Sequence, residues 1–507
     1  MKRIIAVLFA FGAALTVASV SEAAVFCVDD FGDGPVAAAD CAATCDGTND
    51  CSLRDAVTAA SLNAEADEIA LSAGTYTLSE VGTTGLEIFE EVTISGAGPW
   101  ETTVDGNGFT TSSRVFHVLD GSKLTLSGLT VTDGRDEADG GGGGILSIDA
   151  ELVLTDVVIN QNFSTFHGGG VLVFNGSLTA TDTVFSDNIA DSDAGGSVGS
   201  GGGLHVGGSA DVSLVRTTFF SNEANGGAGL NLDLSGGTAT VSDSSFVDNT
   251  SGISGGGMSS FATGGATVVV EGSTFRGNHG LFGGGLLAND GDLILRNTTL
   301  SGNVASVSGG GLYVFSDGIV TANNLTVTLN NASNGATGDG GGIGVAATAS
   351  LTLSNSIVAH NFDAGADAPD CFGNVASGGH NLLNSEAGCT FTVETGDLIG
   401  VDPLLEELAE NGGPAQTHLP LAGSPALDAG GDDCESKDQR GEARPTDGNG
   451  DGTAICDIGA VEAPTAPAGT GGTTGGGTTG GSTGGSTTGG STAGTGGENG
   501  GGCSLIR

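Results

Sequence analysis

One short phrase returns eight times along the chain, and it limits the folds that the chain can adopt. Each copy has a glycine cluster, a segment in which apolar and polar residues alternate, and an apolar residue followed three positions later by asparagine. Successive asparagines lie 25–34 residues apart, which is a period typical of a solenoid with one coil per copy. The asparagines are Asn162, Asn188, Asn222, Asn249, Asn278, Asn303, Asn330 and Asn361.

The alternation inside each copy indicates β-strands. Leu293 and Leu295 show the period of two, as do Leu351 and Leu353. A copy of this length holds three short strands and three bends. We therefore predict an all-β fold, a parallel β-helix with three strands per coil and about 8–10 coils, in which neighbouring coils lie about 4.8 Å apart.

The asparagines and the glycine clusters are both predicted to occupy bends. Asparagine tolerates the left-handed conformation, and stacked asparagines can bond one another along the axis. Glycine suits a bend that needs positive φ or close approach of the backbone. The apolar residue of each phrase, such as Phe185 or Phe219, is predicted to stack inside the coils. A lone coil cannot offset its ordering entropy, so the stack must be cooperative.

The N-terminal segment predicts export. Lys2 and Arg3 precede an apolar run over residues 4–20, and the small residues Ser21 and Ala23 offer a cleavage site. This pattern is typical of a signal peptide, here residues 1–23, and the run is too short and interrupted for a membrane anchor. No later segment of the mature chain is apolar enough to span a bilayer. The net charge of −47 disfavours binding to nucleic acid or to anionic lipid.

The cysteines flank the repeats, which occupy residues 85–362 and contain none. An exported chain can form disulfides, and we predict two at each end. Proximity favours Cys371–Cys389 and Cys434–Cys456, whereas the pairing of the first four cysteines stays open, and Cys503 is left over. The eight predicted to pair are Cys27, Cys41, Cys45, Cys51, Cys371, Cys389, Cys434 and Cys456.

The segment before the repeats, residues 24–84, is predicted to cap the stack, because exposed edge strands are a hazard. Leu53, Ala56, Val57 and Ala60 have the spacing of a short helix. The surrounding "CSLRDA" resembles the CSLREA motif at the start of exported bacterial β-helix proteins, with aspartate in place of the usual glutamate.

The segment after the repeats, residues 363–463, is predicted to be a second cap. The stretch from 402 to 430, "DQRG" at 438–441 and "DIGAVE" at 457–462 resemble the choice-of-anchor Q domain. The repeat phrase resembles those of polymorphic outer-membrane proteins and of pectin-lyase-like right-handed β-helices. Together these resemblances cover about residues 25–463 and imply a right-handed, three-faced β-helix on a bacterial surface, without a single settled activity.

Residues 464–507 form a Gly/Thr/Ser-rich segment that is predicted to be a flexible tail. Its Gly-Cys junction at Cys503 resembles the opening of a bacterial C-terminal sorting signal. Intermolecular pairing of Cys503 is the alternative.

A calcium turn is predicted at residues 447–459. Asp447, Asn449, Asp451 and Gly452 match the first half of a calcium-binding loop, in which oxygens at alternate positions converge on the cation. The twelfth position carries isoleucine in place of glutamate, although Asp457 lies beside it. Calcium is therefore the one predicted cofactor, and an acidic surface turn is the alternative.

Catalysis has little support in the sequence. A hydrolase needs two or three carboxylates on one face, and Asp156 and Asp182 fall on neighbouring coils. However, their position in the repeat also accepts Asn and Gly, which is typical of a bend. The six basic residues of the repeats form no cluster, the seven histidines are scattered, and aromatic residues are few. We assign no catalytic residue.

The sequence therefore predicts an exported surface or secreted protein with a structural, adhesive or interaction role. Its expected partner is an extracellular polysaccharide or another cell-surface molecule. The alternative is a polysaccharide lyase or glycoside hydrolase of the pectin-lyase-like class.

Overall fold

The computed structural model describes residues 23–28, 30–34, 41, 51–61, 65–81, 84–137, 140–191, 199–333 and 340–465. Cys45, Cys503 and almost all of the predicted signal peptide and tail lie outside these ranges. The described residues form strands and two short helices, α1 (Leu53–Ala60) and α2 (Gly108–Thr111). Neither helix is long and apolar enough to cross a bilayer. The prediction of an all-β fold is confirmed.

Parallel strands stack in about 11 turns, and each complete coil contributes one strand to each of three long ladders. The first ladder follows the glycine clusters. The strands that belong to it alone are β4 (Leu86–Ile88), β7 (Phe116–Val118), β10 (Ile145–Ile148), β13 (Val171–Phe174), β17 (Leu204–Gly208), β21 (Leu230–Leu234), β31 (Leu312–Val314) and β35 (Ile343–Val345).

The second and third ladders follow the next two bends of each coil. The second contains β1 (Val25–Val28), β2 (Asp67–Leu71), β5 (Glu91–Ser95), β14 (Ser177–Thr181), β18 (Asp211–Val215), β22 (Thr238–Ser242), β32 (Gly318–Asn323), β36 (Ser350–Ser354) and β41 (Cys389–Phe391). The third contains β3 (Gly74–Thr77), β6 (Thr102–Asp105), β15 (Val184–Ser186), β19 (Thr218–Phe220), β23 (Ser245–Val247), β26 (Thr274–Arg276), β29 (Thr299–Ser301), β33 (Thr326–Thr328), β37 (Ile357–Ala359), β40 (Leu382–Leu383) and β42 (Leu398–Ile399).

Longer strands pass through two ladders. The first and second ladders share β25 (Met258–Glu271), β28 (Leu286–Arg296) and β39 (Cys371–Gly379), and the second and third share β8 (Lys123–Thr132) and β11 (Glu151–Asn160). The parallel pairing starts before the repeats and continues after them, which explains why the structure has more turns than the repeat phrase has copies.

A fourth, short ladder lies between each asparagine and the following glycine cluster, in addition to the three predicted ones. Its strands pair in a separate nine-stranded parallel sheet. They are β9 (Arg135–Asp136), β12 (Phe163–Ser164), β16 (Ile189–Ala190), β20 (Glu223–Gly226), β24 (Thr250–Ser254), β27 (His279–Phe282), β30 (Val304–Ser308), β34 (Asn331–Ala332) and β38 (Phe362–Asp363).

The repeated apolar residues form a buried column, as predicted. Phe185, Phe219, Phe246 and Phe275 have no exposed surface, and their rings stack with centroids 4.3–4.9 Å apart. Each buried ring contributes roughly 1.5–3 kcal/mol through its burial, and each stacked pair adds about 0.5–1.5 kcal/mol. The column exists only because the coils lie in register, so the core stabilises the stack and not the single coil.

The bends differ in one detail from the prediction. The residue with positive φ is the one before each asparagine, such as Gln161 (56°), Asp187 (54°) and Asp248 (53°), and not the asparagine itself. The glycine clusters serve close approach, because a Cβ on Gly170 would lie 2.5 Å from the carbonyl oxygen of Gly203 on the next coil.

The N-terminal segment covers the start of the core. Ser52 caps the N-terminus of helix α1, and its hydroxyl accepts a hydrogen bond from the amide of Asp55 at 3.2 Å. Its apolar side is buried against the first coils, and Arg54 pairs with buried Asp33 at 2.7 Å. A disulfide joins Cys41 to Cys51, and Cys27 is also disulfide-bonded. The predicted short capping helix is confirmed.

The C-terminal module packs against the third ladder of the last coils. Gln439, of the "DQRG" motif, is buried and bonds Thr299 at 2.5 Å and Thr274 at 2.7 Å. His418 bonds Ser301 at 2.9 Å. Thr274, Thr299 and Ser301 are outward-facing residues of the third ladder. The module buries their hydroxyl groups and supplies hydrogen-bond partners for them. Disulfides Cys371–Cys389 and Cys434–Cys456 are both present.

Candidate functional site

A cleft of about 350 Å³ opens beside the fourth ladder, near its N-terminal end. It crosses three successive coils, because Asp133, Gln161 and Asp187 occupy equivalent bends at the ends of third-ladder segments. Helix α2 closes one end. The lining residues are Gly108, Phe109, Asp133, Gly134, Arg135, Gln161, Asn162, Phe163, Asp187 and Ile189.

Arg135 lies between two phenylalanine rings at the cleft. Its guanidinium carbon is 4.8 Å from the ring centre of Phe109 and 4.1 Å from that of Phe163. Both distances are typical of cation–π contacts. The same guanidinium donates to the carboxylate of Glu137 at 2.6 Å. The Phe109 ring nevertheless stays 85% exposed, so it offers a free aromatic face to a ligand.

Gly108 allows this arrangement. Its amide donates to the carbonyl of Asp133 at 2.7 Å. A Cβ at this position would lie 2.5 Å from that oxygen and 2.6 Å from the Cβ of Arg135. A larger residue would therefore push α2, and Phe109 with it, away from Arg135.

Two carboxylates flank the aromatic group. Burial and the nearby carboxylate of Asp105 raise the pKa of Asp133, and burial raises the pKa of Asp187. Within the described ranges, neither carboxylate has an ion-pair partner. The cleft thus combines exposed aromatic surface with carboxylates that lack a neutralising cation.

The site could not be predicted from the sequence, because its residues come from different coils. Phe109 lies in α2, outside any copy of the repeat phrase, and Arg135 is one of six basic residues that show no clustering along the chain. The one available signal was a degenerate copy of the repeat phrase, Val131-Thr132-Asp133-Gly134, which lies 28 residues before Asn162. It pairs in register with the first full copy, since Val131 lies opposite Ile159, and it therefore places Asp133 at a bend.

The carboxylate pair considered for catalysis occupies a different bend. Asp156 and Asp182 have φ values of 54° and 51°, as bend residues do. Both oxygens of Asp182 accept hydrogen bonds from Arg216, at 2.7 and 2.8 Å, and this pairing lowers the pKa of Asp182. Asp182 is held ionised by Arg216, so it cannot act with Asp156 as an acid–base pair.

The structure brings the repeated asparagines together in one buried ladder. The side-chain amide of each donates to the side-chain oxygen of the next at 2.9–3.0 Å, from Asn162 through Asn361. The ladder ends at a residue that the repeat did not predict. Asn361 donates to the carboxylate of Asp370, which also accepts from the amide of Ser385. Burial raises the pKa of Asp370.

The predicted calcium turn is closed by its own backbone. Asp447 accepts hydrogen bonds from the amides of Gly450 and Gly452, at 2.7 and 2.9 Å, and Asn449 accepts from the amide of Asp451 at 2.8 Å. Among the described residues, no group of three or more His, Cys, Asp or Glu side chains is arranged around a common metal position. Calcium binding at this turn stays a prediction.

Asp457 lies apart from the exposed turn, in the interior of the C-terminal module. Its carboxylate is fully buried and accepts from the amides of Asp428 and Ala463 at 2.7 and 2.6 Å. Burial raises its pKa to about 7.

Two histidines outside the cleft stack on each other beside the first ladder. The ring centres of His167 and His205 are 4.4 Å apart, and Asn231 bonds the Nδ1 atom of His205 at 3.1 Å. Burial lowers the pKa of His205 to about 3, so the ring is neutral. We assign this pair a packing role.

A family model described as "Right handed beta helix region" matches residues 117–300. No curated protein matches the sequence. The chain is similar to the crystal structure of pectate lyase Pel9A, with 14% identity and a TM-score of 0.45, over 88% of this chain and 98% of that chain.

Two further solved structures are similar at lower TM-scores. One is the catalytic domain of a GH87 alpha-1,3-glucanase variant in complex with tetrasaccharides, with 12% identity and a TM-score of 0.32, over 70% of this chain and 65% of that chain. The other is the A-module of mannuronan C-5 epimerase AlgE4 from Azotobacter vinelandii, with 15% identity and a TM-score of 0.26, over 66% and 89%. The family match and the parallel ladders together identify residues 117–300 as a right-handed β-helix region.

Proposed function

We propose that this protein is an exported β-helix protein that binds an extracellular polysaccharide at the cleft between Phe109 and Ile189, without catalysis. Its role is structural, adhesive or in cell-surface interactions. The observation that carries the proposal is the exposed ring of Phe109 beside Arg135, with Asp133 and Asp187 on the same cleft.

The chemistry of the cleft suits a sugar. An aromatic face packs against the apolar C–H surface of a pyranose ring, and nearby carboxylates and amides accept or donate hydrogen bonds at its hydroxyls. The cleft spans three coils, or about 10 Å at the strand spacing of about 4.8 Å. It is a surface cleft that runs across coils, so it suits a segment of a long chain better than an enclosed small molecule.

Disulfides support the exported part of the proposal. Three bridges join pairs of described cysteines and Cys27 is also disulfide-bonded, and such bonds persist in oxidising compartments outside the cytosol. A polysaccharide partner is consistent with that location.

Hydrolysis at the same cleft is the second candidate function. Asp133 and Asp187 lie two coils apart, about 9.6 Å, which is close to the roughly 6.5–9.5 Å between the carboxylates of inverting glycosidases. Burial raises the pKa of both carboxylates, which is the direction that a general acid needs. This candidate needs a bound water between the two carboxylates and cleavage of a glycosidic bond, whereas the binding proposal needs neither.

One experiment separates the two candidates. The full chain is tested against neutral, uronate and amino-sugar polymers by affinity electrophoresis, and each mixture is assayed for new reducing ends and unsaturated products. We expect retardation by at least one polymer, no product, and loss of retardation in Phe109→Ala. The matched control is Phe362→Ala, which removes another exposed ring of the same face, outside the cleft.

If the wild type forms product and Asp133→Asn or Asp187→Asn does not, the function of the cleft is hydrolysis and not binding alone. If Phe109→Ala and Phe362→Ala change the retardation and the product yield equally, the cleft is the site of neither binding nor hydrolysis.

A further inference from the structure

We propose that the ligand of this cleft is an amino-sugar polysaccharide that carries protonated amines, and not a polyuronate. The inference rests on the proposed polysaccharide binding and specifies its chemical class. It follows from which charges of the cleft are already paired and which are not.

The single cation of the cleft is already engaged. Arg135 is held between Phe109 and Phe163 and donates to Glu137 at 2.6 Å. Because Glu137 already neutralises this guanidinium through its Nε atom, a uronate that approached the remaining N–H groups would meet an ion pair without net charge, and its attraction would be weak. Arg135 therefore orients the two rings, and it is not the receptor of an anionic ligand.

The carboxylates of the cleft are the unpaired charges. Asp133 is half-buried and Asp187 is exposed at the rim, and within the described part of the chain no cation forms an ion pair with either of them. Asp105 lies close enough to raise the pKa of Asp133, which adds to the local negative potential. An ammonium group placed here would gain a charge-assisted hydrogen bond and would relieve the repulsion between these carboxylates.

The carboxylates also have a regular spacing. The same bend carries Asp133, Gln161, Asp187, Ser221 and Asp248 on five successive coils, so a carboxylate recurs on every second coil. Every second coil corresponds to about 9.6 Å. In a polymer whose alternate sugars have the same orientation, every second amine would face this row of carboxylates. The ring faces of the sugars would pack against Phe109.

The charge of the whole chain acts in the same direction. The sequence carries 60 acidic and 13 basic residues, a net charge of −47. This potential repels a polyuronate and attracts a polymer of ammonium groups. Overall charge, however, does not select one place on the surface, so the test must distinguish the cleft from the rest of the protein.

The test uses short oligomers, which limits nonspecific attraction. Hexamers of β-1,4-linked glucosamine, of β-1,4-linked N-acetylglucosamine and of α-1,4-linked galacturonic acid are titrated into the full chain by calorimetry at physiological salt and slightly acidic pH. The cleft variant is Asp133→Asn/Asp187→Asn. Asparagine tolerates the φ values of 50° and 54° at these sites, so the bends are preserved. The control, Asp120→Asn/Asp156→Asn, removes two exposed carboxylates outside the cleft.

We expect the glucosamine hexamer to bind about tenfold or more tightly than the other two hexamers, and the cleft variant to lose about tenfold in affinity while the control changes less than about twofold. Equal or tighter binding of the galacturonic acid hexamer would overturn the amino-sugar inference and leave polysaccharide binding in place. An equal loss in both variants would show attraction to overall charge and would also overturn it. Binding of no hexamer and no polymer would overturn the proposed function itself.

Discussion

Replacement of Asn249 by alanine tests whether the asparagine ladder holds neighbouring coils together. Asn249 has no exposed surface. Its side-chain amide donates to the carbonyl of Phe219 and to Asn278, both at 2.9 Å, and its oxygen accepts from the backbone and side-chain amides of Asn222 at 3.0 and 2.9 Å. One side chain therefore connects three coils.

The expected cost follows from the groups that lose their partners. Alanine at 249 leaves the carbonyl of Phe219 and the backbone amide of Asn222 buried without these hydrogen bonds. Each such group costs about 1–3 kcal/mol, so we expect a loss of about 4 kcal/mol in the free energy of unfolding. Backbone strain does not contribute, because the residue with positive φ is Asp248 and not Asn249.

The assay is urea unfolding followed by circular dichroism, with hydrogen exchange of the 215–250 segment. A loss of this size should lower the urea midpoint by up to about 1 M, since m is large for a chain of this length, and the amide of Asn222 should exchange faster. The control is Asn331→Ala, since Asn331 lies on the partly exposed fourth ladder, and we expect a change within about 0.5 kcal/mol there. A midpoint shift of Asn249→Ala no larger than that of the control would refute the reasoning.

Three further predictions concern the C-terminal module. Gln439→Ala should release the module from Thr274 and Thr299, which limited proteolysis would detect as faster cleavage after residue 400, with exposed Lys437→Ala as control. The pKa of Asp457 is raised from 3.8 to about 7 in the folded chain, so its contribution to stability is present below pH 4 and is lost as the pH rises through about 7. Melting temperatures between pH 5 and 8 should therefore fall more steeply with rising pH in the wild type than in Asp457→Asn, and parallel curves would contradict the assignment. If the 447–452 turn binds calcium, millimolar calcium should raise the melting temperature of the full chain, but not that of Asp451→Asn.

The repeated phrase was enough to predict the coil and its interior. A period of two within each copy determines which side chains face inward, and the recurrence of the phrase once per coil places Phe185, Phe219 and Phe246 above one another. These are local rules applied many times, so small errors in one copy do not change the fold. The bend positions followed from turn chemistry in the same way, although the left-handed residue proved to be the neighbour of each asparagine.

The sequence alone therefore determined the parallel β-helix, its buried column, and the short helix that covers the N-terminal end. Only the tertiary structure decided the cleft and the position of the C-terminal module. Phe109, Arg135 and Phe163 are about one coil apart along the chain and meet only through stacking, and Phe109 lies outside the repeat. Gln439 finds Thr274 across a much longer separation, for which no periodic pattern exists. Contacts between a repeat and a non-repetitive segment depend on how their surfaces fit, and the spacing of residues along the chain does not encode that fit.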